Sequence, residues 1–358
     1  MSGSPAPLRV LHLVGSEVSD FFCDLSRLYA DDCLRSTADP DQYETHIAYV
    51  SPGGQWRFPS GLGPDEIHTA VAMPVAEAIG HIVGLRVDVM VPQMFCLPGM
   101  ITYRSLFDLL GIPYLGNRPE TMALGAHKAR AKAVVAGAGV AVPAGRLLHA
   151  SDDDRTSETS LPVVVKPADT DNSLGVTLVR DHGSYREALR KAFEHSDEVL
   201  VENYVELGRE VRCGVLEVDG ELVCLPLEEY AVDPEHKPIR GEDDKLARSG
   251  GGADGDLTLV AKDATHAWMV DAADPVTEAV HAAALACHRA LGCRDYSLFD
   301  FRIDPEGRPW FLEAGLYCSF AEKSVIAVMA RAAGIPLAQL FRASLDRAVA
   351  RDPARDPV

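Results

Sequence analysis

A lysine at the end of an apolar stretch is the first candidate for chemistry in this sequence. Lys166 closes the run Leu161–Pro167, and a loop that contains small residues, Asp169–Gly175, follows it. A buried strand fixes the direction of a lysine, and the backbone N–H groups of such a loop can surround phosphate oxygens. The loop has neither the GxxxxGK[ST] nor the GxGxxG pattern. The pattern indicates a phosphate site, with a surface lysine beside a turn as the alternative.

A second candidate follows the next predicted strand, Glu198–Val201. The segment Glu202-Asn203-Tyr204-Val205 is followed by Gly208-Arg209-Glu210. A linker in this place can offer backbone groups and a carboxylate to an adenine edge, and a second carboxylate to ribose hydroxyls. Acids that simply face solvent around a turn are the alternative.

The third candidate is a pair of acids near the C-terminal end. Asp300 and Glu313 lie on two predicted strands, Leu298–Ile303 and Trp310–Ala314, that a tight turn at Asp304–Gly307 connects. Two carboxylates on facing strands are costly unless a cation neutralises them, and oxygen ligands suit Mg²⁺. The pair predicts a magnesium site unless either acid faces solvent.

The elements that would position these residues fall into three segments. Residues 1–118 alternate strands and helices, which predicts an α/β domain with a parallel sheet. A helix over 119–139 opens a small α+β unit, 119–205, and a larger α+β unit, 206–350, precedes a tail at 351–358. In the larger unit, Glu210–Leu216 and Leu222–Leu227 form a predicted hairpin through Asp219-Gly220, and residues 231–256 are predicted to form an active-site loop or a lid.

Composition narrows the function classes. The chain has 358 residues, 47% of them apolar, and a formal net charge of −19, which argues against nucleic acid and anionic membranes as partners. It contains no apolar run near the length of a transmembrane helix. No charged segment precedes the apolar run Leu8–Val14, so we do not predict a signal peptide. The eight cysteines lack zinc-ligand spacing, so we expect reduced, partly buried thiols in a cytoplasmic protein.

The order of these motifs resembles the ATP-grasp superfamily, and within it the D-alanine–D-alanine ligase group. The resemblance rests on motifs that recur in the same order: Lys128, Lys166-Pro167, the loop 169–175, Glu202–Val205, Gly208-Arg209-Glu210, and Asp300 with Phe311-Leu312-Glu313. It covers about residues 110–345 well and the N-terminal segment more loosely, through Gly15–Ser19. It implies an ATP-grasp fold with an N-terminal parallel-sheet domain, and a homodimer formed through that domain.

The resemblance also implies that ATP binds between two α+β subdomains. The residues implied at the phosphates are Lys128 and Lys166, with Asn172 and Ser173 in a mobile loop and Lys245 as a further lysine. The residues implied at the nucleoside are Glu202, Tyr204 and Val205 at adenine and Glu210 at ribose. Asp300 and Glu313 would hold magnesium, and Ser324, with Ser319 nearby, would lie near the carboxylate of the acceptor.

Two positions depart from the family pattern. The family has an arginine two residues before the magnesium aspartate and an asparagine two residues after the second carboxylate, whereas this chain has Leu298 and Gly315. Arg302, or less directly Arg294, is our candidate for the missing positive charge. These changes predict substrates other than D-alanine, and Leu316–Phe320 would either shape their pocket or anchor the C-terminal helix.

The leading interpretation is an ATP-dependent carboxylate–amine ligase that forms an amide bond through an acyl phosphate, on small amino-acid-like substrates of specialised metabolism. One alternative is a nucleotide-binding protein that has lost catalysis. Another is a related reaction, such as thiol ligation or phosphotransfer. Retention of Lys166, Asp300 and Glu313 argues against lost catalysis, because a protein that only binds nucleotide needs no paired metal acids.

Overall fold

The computed structural model describes residues 6–152, 160–170, 173–239, 246–248, 257–259 and 266–351. Contacts divide the chain into two compact units, one formed by residues 1–123 with 317–358 and the other by residues 124–316. The C-terminal helices, which we predicted within segment 206–350, therefore belong to the same unit as the N-terminal segment.

The first unit contains a four-stranded sheet in the order β3-β2-β1-β4. Its strands are β1 (Leu8–Gly15), β2 (Tyr43–Ser51), β3 (Gln55–Arg57) and β4 (Val89–Pro92). Strand β1 is parallel to both β2 and β4, as the strand–helix alternation predicted. Tyr114 forms one parallel bridge with Met90 of β4, and the pairing stops there since Pro113 has no N–H to donate.

Helices complete this unit. They are α1 (Asp20–Ser36), α2 (Pro64–Thr69), α3 (Val75–Leu85), α4 (Leu97–Met100), α5 (Thr102–Leu110), most of α6 (Pro119–Ala126), α10 (Val325–Ala332) and α11 (Leu337–Ala350). The helix predicted over 119–139 is two helices, because His127 is extended and its ring accepts from Arg130 N to cap a new helix, α7 (Lys128–Gly137). This break makes Lys128 the first residue of α7.

The second unit contains two antiparallel sheets that carry the candidate residues. The smaller sheet, in the order β5-β8-β6-β7, consists of β5 (Gly145–His149), β6 (Val163–Pro167), β7 (Thr177–Val179) and β8 (Glu198–Asn203). Helix α8 (His182–Phe193) packs on it through Tyr185, Ala188 and Leu189. The three valines before Lys166, Val163–Val165, are buried, as a strand that fixes a lysine requires.

The larger sheet has the order β14-β11-β9-β15-β16, with β10 paired to β9. Its strands are β9 (Arg209–Val218), β10 (Glu221–Cys224), β11 (Glu228–Tyr230), β14 (Ala267–Met269), β15 (Tyr296–Ile303) and β16 (Pro309–Gly315). Helix α9 (Val276–Ala290) packs against it, and β12 (Leu246–Arg248) pairs with β13 (Leu257–Leu259) separately. The hairpin predicted through Asp219-Gly220 is confirmed, with φ of 51° and 82° at the two turn residues.

Among the helices that the structure describes, no single one is long and apolar enough to cross a membrane; the bent pair α10 and α11 reaches the required length and apolarity together, by length and composition only.

Candidate active site

A cleft within the second unit brings most of the predicted residues together. It has an empty volume of about 750 Å³, solvent at the mouth included, which is within the range of nucleotide-sized sites. Residues of both sheets line it. The predicted residues among them are Lys128, Lys166, Ser173, Glu202, Val205, Glu210, Asp300, Arg302 and Glu313.

Lys166 is held by a buried carboxylate on the neighbouring strand. Val164 of β6 lies opposite Glu202 of β8, so Lys166 and Glu202 are diagonal neighbours on one face, and their side chains form an ion pair. Lys132 of α7 reaches the other oxygen of Glu202 at 2.9 Å, without the alignment of a hydrogen bond. Glu202 therefore lies between two lysines, which fits a role in orienting Lys166 as well as a place at the adenine edge.

Burial and charge oppose each other in this cluster. Burial works to raise the pKa of Glu202, but the two lysines outweigh it and hold that pKa below its ordinary value. Burial lowers the pKa of Lys132 to about 8, against the raising effect of Glu202. Sequence reasoning missed Lys132, although its spacing of four residues from Lys128 on one helix was a usable signal.

Lys128 is attached to the phosphate-loop segment. Its backbone N–H donates to Ala168 O at 2.7 Å, and its ammonium donates to Thr170 O. Ser173 lies in the same loop with φ of 60°, a left-handed conformation. Asn172, predicted beside it, lies outside the described residues. The lysine and the loop therefore contact each other directly.

The predicted nucleoside end is organised by one arginine. Arg302 donates to Glu210 Oε2 at 2.8 Å, to Val205 O at 3.3 Å and to Pro238 O at 2.8 Å. Its guanidinium lies 5.2 Å from the centre of the Tyr204 ring. Arg302 thus ties together the residues predicted at adenine and ribose.

The two predicted metal acids are direct neighbours. Asp300 of β15 lies opposite Glu313 of β16, so both carboxylates are on the same face of the sheet. Asp300 is buried, and both residues line the cleft. The hairpin therefore puts both acids on one face of the sheet, next to each other.

A guanidinium that sequence reasoning missed lies on the other side of Asp300. Arg212 of β9 is opposite Asp300 of β15, and both oxygens of the carboxylate are engaged: Nη2 donates to Oδ2 at 2.6 Å, and Nε donates to Oδ1. Arg212 in turn lies opposite Glu228 of β11. A single row of facing residues, Glu313–Asp300–Arg212–Glu228, therefore crosses four strands and contains three acids and one base.

This arrangement changes the assignment of the positive charge. We expected Arg302 to supply it beside Asp300, but Arg302 is engaged by Glu210 and two carbonyls. Arg212 is the arginine in contact with Asp300. The signal was the alternation Glu210-Val211-Arg212, which puts both charged side chains on one face of a strand.

Ser324 and Lys245 complete the set of predicted residues. Ser324 belongs to the first unit, where it precedes α10 and its hydroxyl donates to Ser319 O at 2.6 Å. Lys245, like Asn172, lies outside the described residues. The predicted residues that the structure describes in the second unit, with Arg212 and Lys132 added, form one cluster whose charges suit a polyanion.

Comparisons with known proteins agree with this geometry. A family model described as the C-terminus of D-ala D-ala ligase matches residues 143–240. A D-alanine–D-alanine ligase from Gloeobacter violaceus is 33% identical over 251 residues, which are 69% of this chain and 76% of that protein.

Solved structures share the fold. The D-alanine–D-alanine ligase from Bacillus anthracis, complexed with ATP, aligns with a TM-score of 0.72 and 20% identity over 98% of this chain and all of that one. A D-Ala:D-Ser ligase from Enterococcus faecalis aligns with a TM-score of 0.71 and 20% identity over 96% of this chain and 99% of that one. The ATP-grasp fold predicted from the motif order is confirmed.

Proposed function

The chain belongs to the D-alanine–D-alanine ligase family of ADP-forming carboxylate–amine ligases, and we propose that it activates an amino-acid-like carboxylate other than D-alanine and joins it to an amine. The observation that carries the proposal is one cleft lined by Lys166, Glu202, Asp300 and Glu313, with Arg212 bound to Asp300. Carboxylates suited to a metal, a lysine suited to phosphate and a guanidinium are the groups that such a reaction needs, and this supports the proposal.

The reaction that fits this site has two steps. A substrate carboxylate oxygen attacks the γ-phosphorus of ATP and ADP leaves; an amine then attacks the acyl carbon of the acyl phosphate, and phosphate leaves with that oxygen. Both partners in the first step are anions, so cations must reduce their repulsion. Lys128 and Lys166 are positioned to do so, and Glu202 holds Lys166 in place.

The paired acids fit a magnesium ion. Mg²⁺ prefers carboxylate and phosphate oxygens, and Asp300 and Glu313 offer carboxylates from facing strands. The ion would neutralise charge on the phosphates of ATP. Gly315 offers no side-chain oxygen, so fewer protein ligands are present than the family pattern implies.

The proposed change of substrate rests on the row of residues next to the acids. Leu298 of β15 lies between Gly315 of β16 and Gly214 of β9. These three residues offer no charged or hydrogen-bonding side chain. The positive charge of Arg212 lies in the neighbouring row, opposite Asp300. We therefore propose that the substrate group bound beside Leu298 is more apolar than the corresponding group of D-alanine. Such a substrate suits a ligase of specialised metabolism. Ser324 remains our candidate at the acceptor, and Lys245 at the phosphates.

The rest of the proposal follows the family. The enzyme would act in the cytoplasm, where ATP is abundant, and would form a homodimer through the N-terminal segment. Size-exclusion chromatography with light scattering tests the dimer directly; a mass equal to one chain at micromolar concentration contradicts it.

The test of function is release of ADP and phosphate from magnesium-ATP with amino acids and amines, singly and in pairs. We expect release of ADP and phosphate only when two substrates are present. Release should be faster when one of the two is an amino acid more apolar than D-alanine than when both are D-alanine. Lys166→Met should abolish release, whereas Lys191→Met, an exposed lysine of α8 in the same unit, should leave it unchanged.

Two results would contradict the proposal. Fastest release with D-alanine alone would contradict the change of substrate. Binding of ATP without release for any pair would favour the nucleotide-binding alternative.

A further inference from the structure

A cluster of soft ligands lies on the face of the large sheet opposite the cleft. Arg212 and Asp300 point to the cleft side, so Cys213, the next residue of β9, points to the other side, where α9 packs. Cys224 at the end of β10 and His281 of α9 lie beside it. One ligand atom from each of these three residues lies within 4.8 Å of the other two.

We propose that Cys213, Cys224 and His281 bind a thiophilic metal ion, with Zn²⁺ as the best-fitting class. Two sulfurs and one imidazole nitrogen are the donors of tetrahedral zinc sites, and they suit neither Mg²⁺ nor Ca²⁺. In such a site sulfur–sulfur and sulfur–nitrogen distances are below 4 Å, because Zn–S is about 2.3 Å and Zn–N about 2.0 Å. Each pair of atoms needs to approach by at most about 1.3 Å, a change that rotamer adjustment supplies.

The hydrogen bonds around His281 leave its ring ready to ligate. Nε2 of His281 lies 3.2 Å from Leu225 O, and a carbonyl can only accept, so this nitrogen carries the hydrogen. Nδ1 then keeps its lone pair. Metal-bound histidines commonly donate their other N–H to a backbone carbonyl in this way.

The sulfurs are held close but weakly. Among the described residues, Cys213 Sγ contacts Gly214 O at 3.6 Å and Cys224 Sγ contacts His281 O at 3.7 Å, both long contacts. Binding would release two thiol protons as two metal–sulfur bonds form.

The proposed metal site is partly exposed to solvent. Cys213 is buried, while Cys224 and His281 are half-buried, so an ion can reach the site from solvent. Three protein ligands leave a fourth position for water. The ion would link β9, β10 and α9 on the face of the sheet opposite Glu210 and Arg212. It would therefore stabilise the sheet that forms part of the cleft.

The experiment uses the full chain, stripped with a chelator and kept anaerobic and reduced, and then titrated with Co²⁺. We expect one Co²⁺ per chain with the intense charge-transfer absorption of thiolate-bound tetrahedral cobalt, and displacement of that absorption by Zn²⁺. Cys224→Ser and His281→Ala should each remove or strongly weaken it. Both positions are half-buried, which favours folded variants, and far-ultraviolet circular dichroism checks this.

The matched control is Cys293→Ser, a half-buried cysteine outside the cluster, which should leave the cobalt absorption unchanged. Three results would overturn the proposal: no thiolate–cobalt absorption in the reduced parent, absorption that survives both Cys224→Ser and His281→Ala, or equal loss in Cys293→Ser. Ligase turnover with magnesium-ATP is a separate readout, so failure here leaves the proposed function unaffected.

Discussion

Asp300 has a guanidinium on one neighbouring strand and a carboxylate on the other. Arg212 holds both of its oxygens, and Glu313 faces it across the hairpin. A metal bound by the two acids would share the Asp300 carboxylate with Arg212. We infer that Arg212 acts close to the reacting phosphate and carboxylate, whereas Arg302, which holds Glu210 and Val205, acts on nucleotide binding.

The two arginines should therefore differ in kinetics. Arg212→Met should lower kcat on the order of 10²-fold, the typical cost of removing one charge-stabilising donor, with a small change in KM for ATP. Arg302→Met should mainly raise KM for ATP. Steady-state ADP release measures both.

The unfolding free energy of these variants should be measured as a control, because Arg212→Met leaves the buried carboxylate of Asp300 without its base. Arg212→Lys keeps the charge but loses the two-point contact and should recover part of the turnover. A raised KM for ATP with unchanged kcat in Arg212→Met would contradict the assignment.

Gly315 lies two residues after Glu313 on β16, where a side chain could add a metal ligand. A Cβ built there meets only Leu298, with Cβ at 3.7 Å and O at 3.9 Å, so a side chain fits. Gly315→Asn adds an oxygen donor beside Glu313, and the magnesium concentration for half-maximal turnover should fall several-fold. Gly307→Asn, in the open turn of the same hairpin, should leave it unchanged. An unchanged magnesium requirement in Gly315→Asn would count against a metal at Glu313.

Strand β9 is the element on which the site depends most. It presents Glu210 and Arg212 to the cleft and Cys213 to α9, and it pairs with three other strands. Its register with β10 is set by the two-residue turn Asp219-Gly220, where both residues have positive φ, the geometry of a type I′ turn. Strain in this turn should weaken the whole strand.

Gly220→Ala isolates that strain. Nothing lies within 4 Å of a Cβ at Gly220, so the cost is conformational, about 1 kcal/mol of unfolding free energy. Gly137→Ala, at the exposed end of α7 in the same unit, also meets no atoms and should be neutral or stabilising by about 0.5 kcal/mol. Urea unfolding measures both. Equal effects in the two variants would show that the turn conformation does not matter.

Across the whole molecule, buried histidines make stability depend on pH. Burial lowers the pKa of His12 in the first unit and of His288 in the second to about 4. The unfolded chain takes up these protons near pH 6.5, so stability is complete above that pH and is lost as pH falls from 6.5 toward 4. Each histidine accounts for about 3 kcal/mol over that range.

The histidine effect can be tested by substitution. His12→Leu removes one titrating group whose Nδ1 has no hydrogen-bond partner among the described residues, so the urea midpoint should fall less between pH 7 and pH 5 than in the parent. His68→Gln, an exposed residue of α2, should follow the parent. A pH response in His12→Leu identical to the parent would contradict this cause.

Much of this site could be predicted from the sequence because its motifs are local. Lys166 follows a buried run, and Asp300 and Glu313 flank a short hairpin, so neighbours in sequence become neighbours in space. Arg212 was missed because its contact with Asp300 depends on the pairing of strands 88 residues apart. The Cys213–Cys224–His281 cluster has the same origin: its ligands come from two strands and a helix, at spacings that match no motif.

Amide formation through an acyl phosphate transfers one oxygen of the substrate carboxylate to phosphate. This transfer is measured with a substrate carboxylate labelled with ¹⁸O and mass spectrometry of the phosphate released after one turnover with magnesium-ATP and the amine. We predict one ¹⁸O atom in each phosphate, because the attacking carboxylate oxygen leaves with phosphorus. Unlabelled phosphate alongside amide product would contradict it.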